Sequence, residues 1–172
     1  MVVVTRSDVS VGLVFKYGAS MKINFVLNND GHSATNAMVF AKLYVQQRSP
    51  ADLAVEQRDI CKEALSGKLI PLIPEGGTGS HEVGLTANAE EVRKGTRTTS
   101  VPTVGFFSPP NTRENFISPY LRGCVQYTYG SQYRRREFSG LIVKIDGTAI
   151  DPQGGDIAAR DLQVALATIY SN

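Results

Sequence analysis

The chain has 172 residues, of which 42% are hydrophobic and 20% are charged. That length and composition are typical of one globular domain whose core is large enough to fold without metal ions. The 18 basic and 16 acidic residues give a formal net charge of +2, and this near balance argues against a nucleic-acid partner. No apolar run is long enough to span a bilayer, so we expect membrane attachment only through a segment outside this chain.

The first third of the chain alternates apolar and polar residues, which indicates strands. The odd-numbered positions of residues 21–28 are apolar and should face a core: Met21, Ile23, Phe25 and Leu27. The sequence Asn29-Asp30-Gly31 then predicts a turn. A second strand is expected over residues 37–46, and it either pairs with the first or crosses to another sheet.

The stretch from Pro50 to Leu65 has a helical period, with Asp52 as a cap and Gly67 as an end. We therefore predict a short inserted helix over residues 50–66. The segment Leu69–Pro74 contains two prolines and is expected at a sheet edge. Residues 80–85 alternate as a short strand, and residues 87–95 suit one or two helical turns.

Residues 96–119 include Pro102, Pro109 and Pro110 and are predicted to form an irregular loop. The strongest strand pair follows at residues 120–129 and 136–145, and we expect it at the centre of a sheet. Residues 161–170 suit a last edge strand. Seven to nine short strands separated by turns predict an all-β fold. The specific expectation is an immunoglobulin-like antiparallel β-sandwich that forms a single domain over residues 1–172.

Candidate catalytic groups are sparse. His32 falls in a predicted turn and His81 in a short strand, no G-x-S-x-G nucleophile motif is present, and both histidines are expected on the surface. The glycine-rich residues 75–80 lack the lysine of a P-loop and predict a hairpin turn. The two cysteines do not have zinc spacing. We therefore predict a non-enzymatic protein with no catalytic residue, cofactor or metal.

Two segments are candidate binding surfaces. One is the aromatic set Phe106, Phe107 and Tyr120, which either forms an exposed patch or plugs one end of the sandwich. The other is Tyr133 followed by Arg134, Arg135 and Arg136, which either grips an acidic partner or forms a solvated hairpin end. Contact with another protein, or with further copies of the chain, is the favoured function. A carbohydrate-binding sandwich is the alternative, although the lack of tryptophan counts against it, and a hydrolase with a dispersed site ranks below both.

Several segments together resemble a family of uncharacterised bacterial, membrane-anchored immunoglobulin-like domains. Asn28–Ala37 is similar to that family's N-x-G-x-[ST]-[PA]-A-x-N turn, and Gly123–Tyr129 to its GCIDYTF strand. Further matches follow the family's order at Arg58–Cys61, Leu72–Gly76, Phe138–Leu141 and Asp161–Val164. The resemblance spans roughly residues 7–172. Residues 96–119 depart from it because they are longer and richer in proline.

The resemblance also bears on the two cysteines. Cys61 and Cys124 both fall on cysteine positions of the family, which implies a bridge between them; two free thiols are the alternative. The bridge would tie the inserted helix to the outer face of a central strand. It would also favour an extracytoplasmic location, in the periplasm or at the cell surface, because disulfides persist in oxidising compartments. Two free thiols would instead favour the cytoplasm.

Overall fold

The computed structural model describes residues 1–45, 60, 70–101 and 112–169. Ten strands lie in these segments, all of them paired antiparallel. In chain order they are β1 (Val2–Val14), β2 (Gly18–Asn29), β3 (Ala34–Tyr44), β4 (Ile70–Ile73), β5 (Thr78–Asn88), β6 (Arg97–Val101), β7 (Thr112–Phe116), β8 (Tyr120–Tyr129), β9 (Gln132–Lys144) and β10 (Leu162–Ile169). The all-β prediction is confirmed.

The strands form two main sheets that pack face to face. One sheet has the order β1-β2-β5, the other has the order β10-β9-β8-β3-β4, and β6 and β7 form a separate hairpin. The inward side chains of both sheets join in one hydrophobic core. At its centre Phe25 of β2 meets Phe138 of β9 edge to face, with ring centroids 5.2 Å apart. The fold is therefore an antiparallel β-sandwich.

Strand β2 shows why the alternation in the sequence produces this layer. Its inward positions are fully buried, as predicted: Met21, Ile23, Phe25 and Leu27. The chain then crosses from the three-stranded sheet to the five-stranded sheet at the turn after Asn29. Of the two alternatives for residues 21–46, the structure has the crossing between sheets.

Asn29 anchors that crossing. Its buried side-chain amide donates hydrogen bonds to the carbonyl oxygens of His32 at 2.8 Å and Ile73 at 3.0 Å. Its side-chain oxygen accepts from the backbone N–H of Gly31 at 3.2 Å. One side chain thus fixes the turn between β2 and β3 against the end of β4, because buried amide groups need partners.

The structure of the described part of residues 96–119 corrects one prediction. Part of the irregular loop predicted there is a strand pair, since β6 and β7 pair from Arg97 opposite Phe116 to Val101 opposite Thr112. The β-branched residues of the first strand favour extended backbone. The prolines that suggested a loop fall within residues 102–111, which are outside the described residues.

A short helix, α1 (Ala89–Gly95), links β5 to β6 and confirms the helical turns predicted over residues 87–95. Asn88 caps its first turn by accepting from the N–H of Glu91, and the Glu91 carboxylate accepts from the N–H of Asn88. This reciprocal capping box explains why the helix begins where it does. Of the helix predicted over residues 50–66, only Ile60 is described, and it is helical.

Candidate functional site

The outward face of the five-stranded sheet, which points away from the core, carries most of the candidate residues. Directly opposite residues of antiparallel strands project to the same face, so the strand register sorts this face into rows. One row runs across β3, β8, β9 and β10 as Tyr44, Tyr120, Leu141 and Ala165. The next row is Lys42, Arg122, Ser139 and Ala167. In both rows the side chains become smaller toward β10.

This decrease in size leaves a groove of about 500 Å³ above β9 and β10. We call it the outward groove. Apart from Leu141, the residues that line it on these two strands are small, and Tyr120 and Arg122 line it on β8. Phe116, Arg97 and Gly95, from the β6–β7 hairpin and the end of α1, complete the lining. One wall of the groove is therefore formed by the larger side chains of β8, and another by the β6–β7 hairpin.

The outward groove is bordered by exposed apolar surface. The side chain of Leu141 is 58% exposed, which is unusual for leucine in the middle of a central strand pair. Next to it the rings of Tyr44 and Tyr120 stack with centroids 5.2 Å apart. Both rings are half-buried, and stacking holds them in one orientation beside the exposed leucine.

Among the described residues that line the groove, the charged side chains are Arg97 and Arg122. Arg97 lies at the rim, is exposed, and makes no ion pair with any residue that the structure describes. No carboxylate is among those groove-lining residues that the structure describes. A ligand that combines an apolar group with a carboxylate would fit both properties, because the guanidinium group offers forked hydrogen bonds to carboxylates.

The basic hairpin end lies elsewhere on the same face. Tyr133 is opposite Thr128, whereas Tyr120 is opposite Leu141. Eight residues of β8 separate the two pairs, or roughly 26 Å at the usual rise per residue. The predicted aromatic and basic surfaces are therefore two separate places on one sheet face.

The three consecutive arginines do not form one cluster either. Arg135 is on the outward face, where its guanidinium lies 5.1 Å from the ring centroid of Tyr133, and the hydroxyl of that tyrosine donates to Gln126. Arg134 and Arg136 project to the opposite face, since successive strand residues alternate. Arg134 is exposed and donates to the side chain of Gln132. Phe106 and Phe107 lie outside the described residues.

A second apolar cluster covers the middle of the outward face. It consists of Phe40, Ile60 and Cys124, all buried, with Met38 and Tyr44 packed against them. Cys124 is disulfide-bonded and faces outward, as expected. Its predicted partner, Cys61, lies outside the described residues, so the pairing of Cys61 with Cys124 stays a prediction. Ile60, next to it in sequence, packs against this face.

The two histidines differ from each other. His32 is exposed, and its ring nitrogen lies 3.6 Å from a Glu75 carboxylate oxygen that is itself exposed. His81 is 7% exposed and faces the core opposite Phe25. The prediction of a surface position was therefore wrong for His81. Neither histidine lines the outward groove.

A second cleft of about 670 Å³ contains four aspartates from residues 144–161. Each aspartate already has a local partner. Asp146 accepts from the backbone N–H of Thr148, which lowers its pKa, and Asp156 accepts from the N–H of Phe15. Within the described segments no three His, Cys, Asp or Glu side chains are placed to hold a metal ion.

The sequence did not reveal the groove-lining residues Leu141, Ala165, Ala167 and Arg97 as a set. The alternation in the sequence predicted that the side chain of Leu141 projects to the sheet face opposite to that of Phe138 and Ile142, and this prediction is correct. Its neighbours on β8 and β10 depend on strand register, which is a long-range property. The sequence carried no signal for that register.

Comparison with models of known protein families, with curated proteins and with solved structures finds no match. Among the described residues, no helix combines the length and the hydrophobicity that crossing a bilayer requires.

Proposed function

We propose that the protein is a non-enzymatic interaction module and that its contact surface is the outward groove. The observation that carries this proposal is the exposure of Leu141 beside the stacked Tyr44 and Tyr120, on a face that is otherwise covered at its middle by a second apolar cluster. Exposed apolar surface costs free energy in water, and a concentrated patch of it marks an interaction site.

The partner that suits this groove is a protein segment with an apolar side chain next to a carboxylate. The apolar side chain would fill the space above Ala165 and Ala167. The carboxylate would meet Arg97, which has no ion pair among the described residues. Burying the apolar group would supply most of the affinity, and the charge pair would orient the segment.

The proposed fold type is immunoglobulin-like. Immunoglobulin domains divide their strands between a sheet of A, B, E and D and a sheet of C, F and G. Here β1, β2 and β5 share one sheet and β3, β8 and β9 share the other. This is the same division if β4 is the fourth strand moved beside β3, if β10 is an additional strand beside β9, and if the β6–β7 hairpin is an insertion. The outward direction of Cys124 departs from the immunoglobulin pattern, whose disulfide crosses the core.

We also propose that the domain is extracytoplasmic and belongs to a membrane-anchored bacterial protein. The disulfide state of Cys124 supports the oxidising compartment, and the resemblance to the membrane-anchored family supports the anchor. The anchor would have to come from sequence outside this chain.

The test is a selection of random peptides displayed on phage against the immobilised protein. We expect enriched peptides to carry an acidic residue near a large apolar one. Their affinity, measured by fluorescence anisotropy, should fall at least tenfold in Leu141→Ser and in Arg97→Glu. The control is Tyr17→Ser, which removes an exposed aromatic side chain that does not line the groove.

Peptides that bind all three variants equally, or a selection without enrichment, would contradict the proposal. The carbohydrate alternative has its own readout in a glycan array. If the protein binds a glycan but no peptide, and Tyr120→Ala abolishes the glycan binding, the partner is a carbohydrate that contacts the Tyr44–Tyr120 pair.

A further inference from the structure

The two main sheets have four outer edges, and three of them carry features that discourage pairing with another chain. Strand β1 is interrupted by three register shifts. Strand β4 has four residues, one of which is Pro71. Strand β5 carries the exposed charge of Glu82 and the glycine Gly84. Bulges, prolines, short length and charges are the usual protections of sheet edges.

Strand β10 has none of these protections. Its eight residues, Leu162–Ile169, include no charge, proline or glycine, and it pairs with β9 without a register shift. No other described strand pairs with it. The nearest strand of the opposite sheet, β1, exchanges two backbone hydrogen bonds with Ile157, which precedes β10.

The backbone of β10 points bonding groups at this open edge. The N–H of Ile145 donates to the carbonyl of Asp161 at 2.9 Å, and these residues are opposite each other because Lys144 is opposite Leu162. In an antiparallel ladder, bonded and non-bonded pairs alternate. Alternate residues beginning with Gln163 therefore bond to β9. Val164, Leu166 and Thr168 direct their N–H and C=O groups away from the sheet.

The inward side chains at this edge are incompletely covered. Val164 and Leu166 pack against the main core but are only partly buried. The core is therefore incompletely covered at Val164 and Leu166, although β1 of the other sheet lies close to part of β10. An added strand would satisfy the backbone groups and cover these two side chains at once.

We propose that this added strand is β10 of a second copy of the chain, antiparallel to the first about a two-fold axis at Leu166. Leu166 would then oppose Leu166 of the second copy, and Val164 would oppose Thr168. Because the strand is uncharged, no like charges meet in this register. A two-fold axis perpendicular to the sheet keeps both cores on one side, so the two five-stranded sheets become one continuous sheet.

This interface is independent of what the outward groove binds. Two-fold association through one shared surface is the commonest form of homodimer, and the edge supplies that surface without rearrangement of either copy. The groove lies above β9 and β10 on the outward face, so the dimer would bring two such grooves side by side.

Sedimentation equilibrium of the full chain tests the pairing. We expect the mass of two chains for the unmodified protein and the mass of one chain for Val164→Pro. The proline removes an N–H that faces the open edge and leaves the hydrogen bonds to β9 in place. Unchanged far-ultraviolet circular dichroism will show that this variant is folded. A monomeric unmodified protein, or a dimeric folded Val164→Pro, would overturn the proposal.

A charge pair tests the register without proline. Ala165 of one copy would lie opposite Ala167 of the other. The double variant Ala165→Lys with Ala167→Lys should be monomeric, because lysines would face each other across the axis. The double variant Ala165→Lys with Ala167→Glu should be dimeric, since each lysine would face a glutamate. Equal masses for the two double variants would overturn the two-fold register.

Discussion

The ring of Phe138 on β9 occupies the space beside Gly123 on β8, so that a Cβ placed on Gly123 would lie 2.1 Å from Cζ of that ring. The two residues are directly opposite in the central strand pair. The same ring packs edge to face against Phe25 of the other sheet. A glycine in one sheet thus makes room for the aromatic contact that joins both sheets.

Gly123→Ala should therefore destabilise the protein by about 3 kcal/mol, because overpacking forces the ring of Phe138 away from Phe25. Urea denaturation followed by circular dichroism measures this change. Gly84→Ala is the matched control, since a Cβ on Gly84 would meet no atom within 4 Å. Its stability should be unchanged or higher by about 0.5 kcal/mol. Equal losses of stability in both variants would show that the position of the Phe138 ring does not depend on the absence of a side chain at Gly123.

Asn29→Asp should lower the free energy of unfolding by about 3 kcal/mol, because it removes buried donors and leaves an acceptor facing carbonyl oxygens. The Asn29 amide bonds the carbonyls of His32 and Ile73. Asn28→Ala is the control, since the neighbouring amide donates to the exposed side chain of Asp30 and alanine places no second carboxylate beside it. Similar denaturation midpoints for the two variants would mean that Asn29 does not anchor the crossing between sheets.

The disulfide prediction concerns the pairing of Cys124 with Cys61. Thiol titration of the unreduced, denatured protein should detect no free thiol. Reduction should then lower the stability by about 4 kcal/mol, the chain-entropy value for a loop of roughly sixty residues. Two free thiols per chain in freshly purified protein would contradict both the bridge and the proposed extracytoplasmic location.

A pH-dependent effect is expected at α1. Arg93 and Lys94 donate hydrogen bonds to Glu90 and lower the pKa of its carboxyl group to about 2. Because the pKa is depressed on folding, this interaction stabilises the helix fully above the ordinary value of 4.5 and is lost as the pH falls toward 2. The Tm of Glu90→Gln should be slightly below that of the unmodified protein at neutral pH, and the difference should vanish in acid.

The control for this experiment is Glu114→Gln, which removes a carboxylate that has no ion pair within the described part of the chain. It should change the Tm little at any pH. A Tm difference for Glu90→Gln that persists undiminished at the lowest pH would show that the ion pairs are not its cause.

The sequence predicted local features better than the site. The alternation at Met21 to Leu27 determined which side chains enter the core, because a strand has only two faces. The alternation of residues 80–85 would have placed the side chain of His81 inward, together with that of Leu85. We predicted a surface position for His81 because it follows a glycine-rich turn. Tyr120, Leu141 and Ala165 come from three strands, and only the register between strands shows that they share one row.

The β6–β7 hairpin illustrates a second limit. Arg97–Val101 contains β-branched residues that favour a strand. The prolines that follow led instead to the prediction of an irregular loop. Its partner, Thr112–Phe116, becomes a strand by pairing with β6. Pairing of this kind is a tertiary effect that local propensity does not describe.

The most direct test of the outward groove as the contact surface is a map of backbone amide chemical shifts during titration with the best selected acidic-apolar peptide. We predict that the largest shifts occur in the row that contains Tyr120, Leu141 and Ala165, and at Arg97 on the rim of the groove. The amides of the hairpin end near Tyr133 and of the turn at Tyr17 should stay in place. Shifts that gather at Tyr133 or in residues 144–161, with none at Leu141, would contradict the proposed surface.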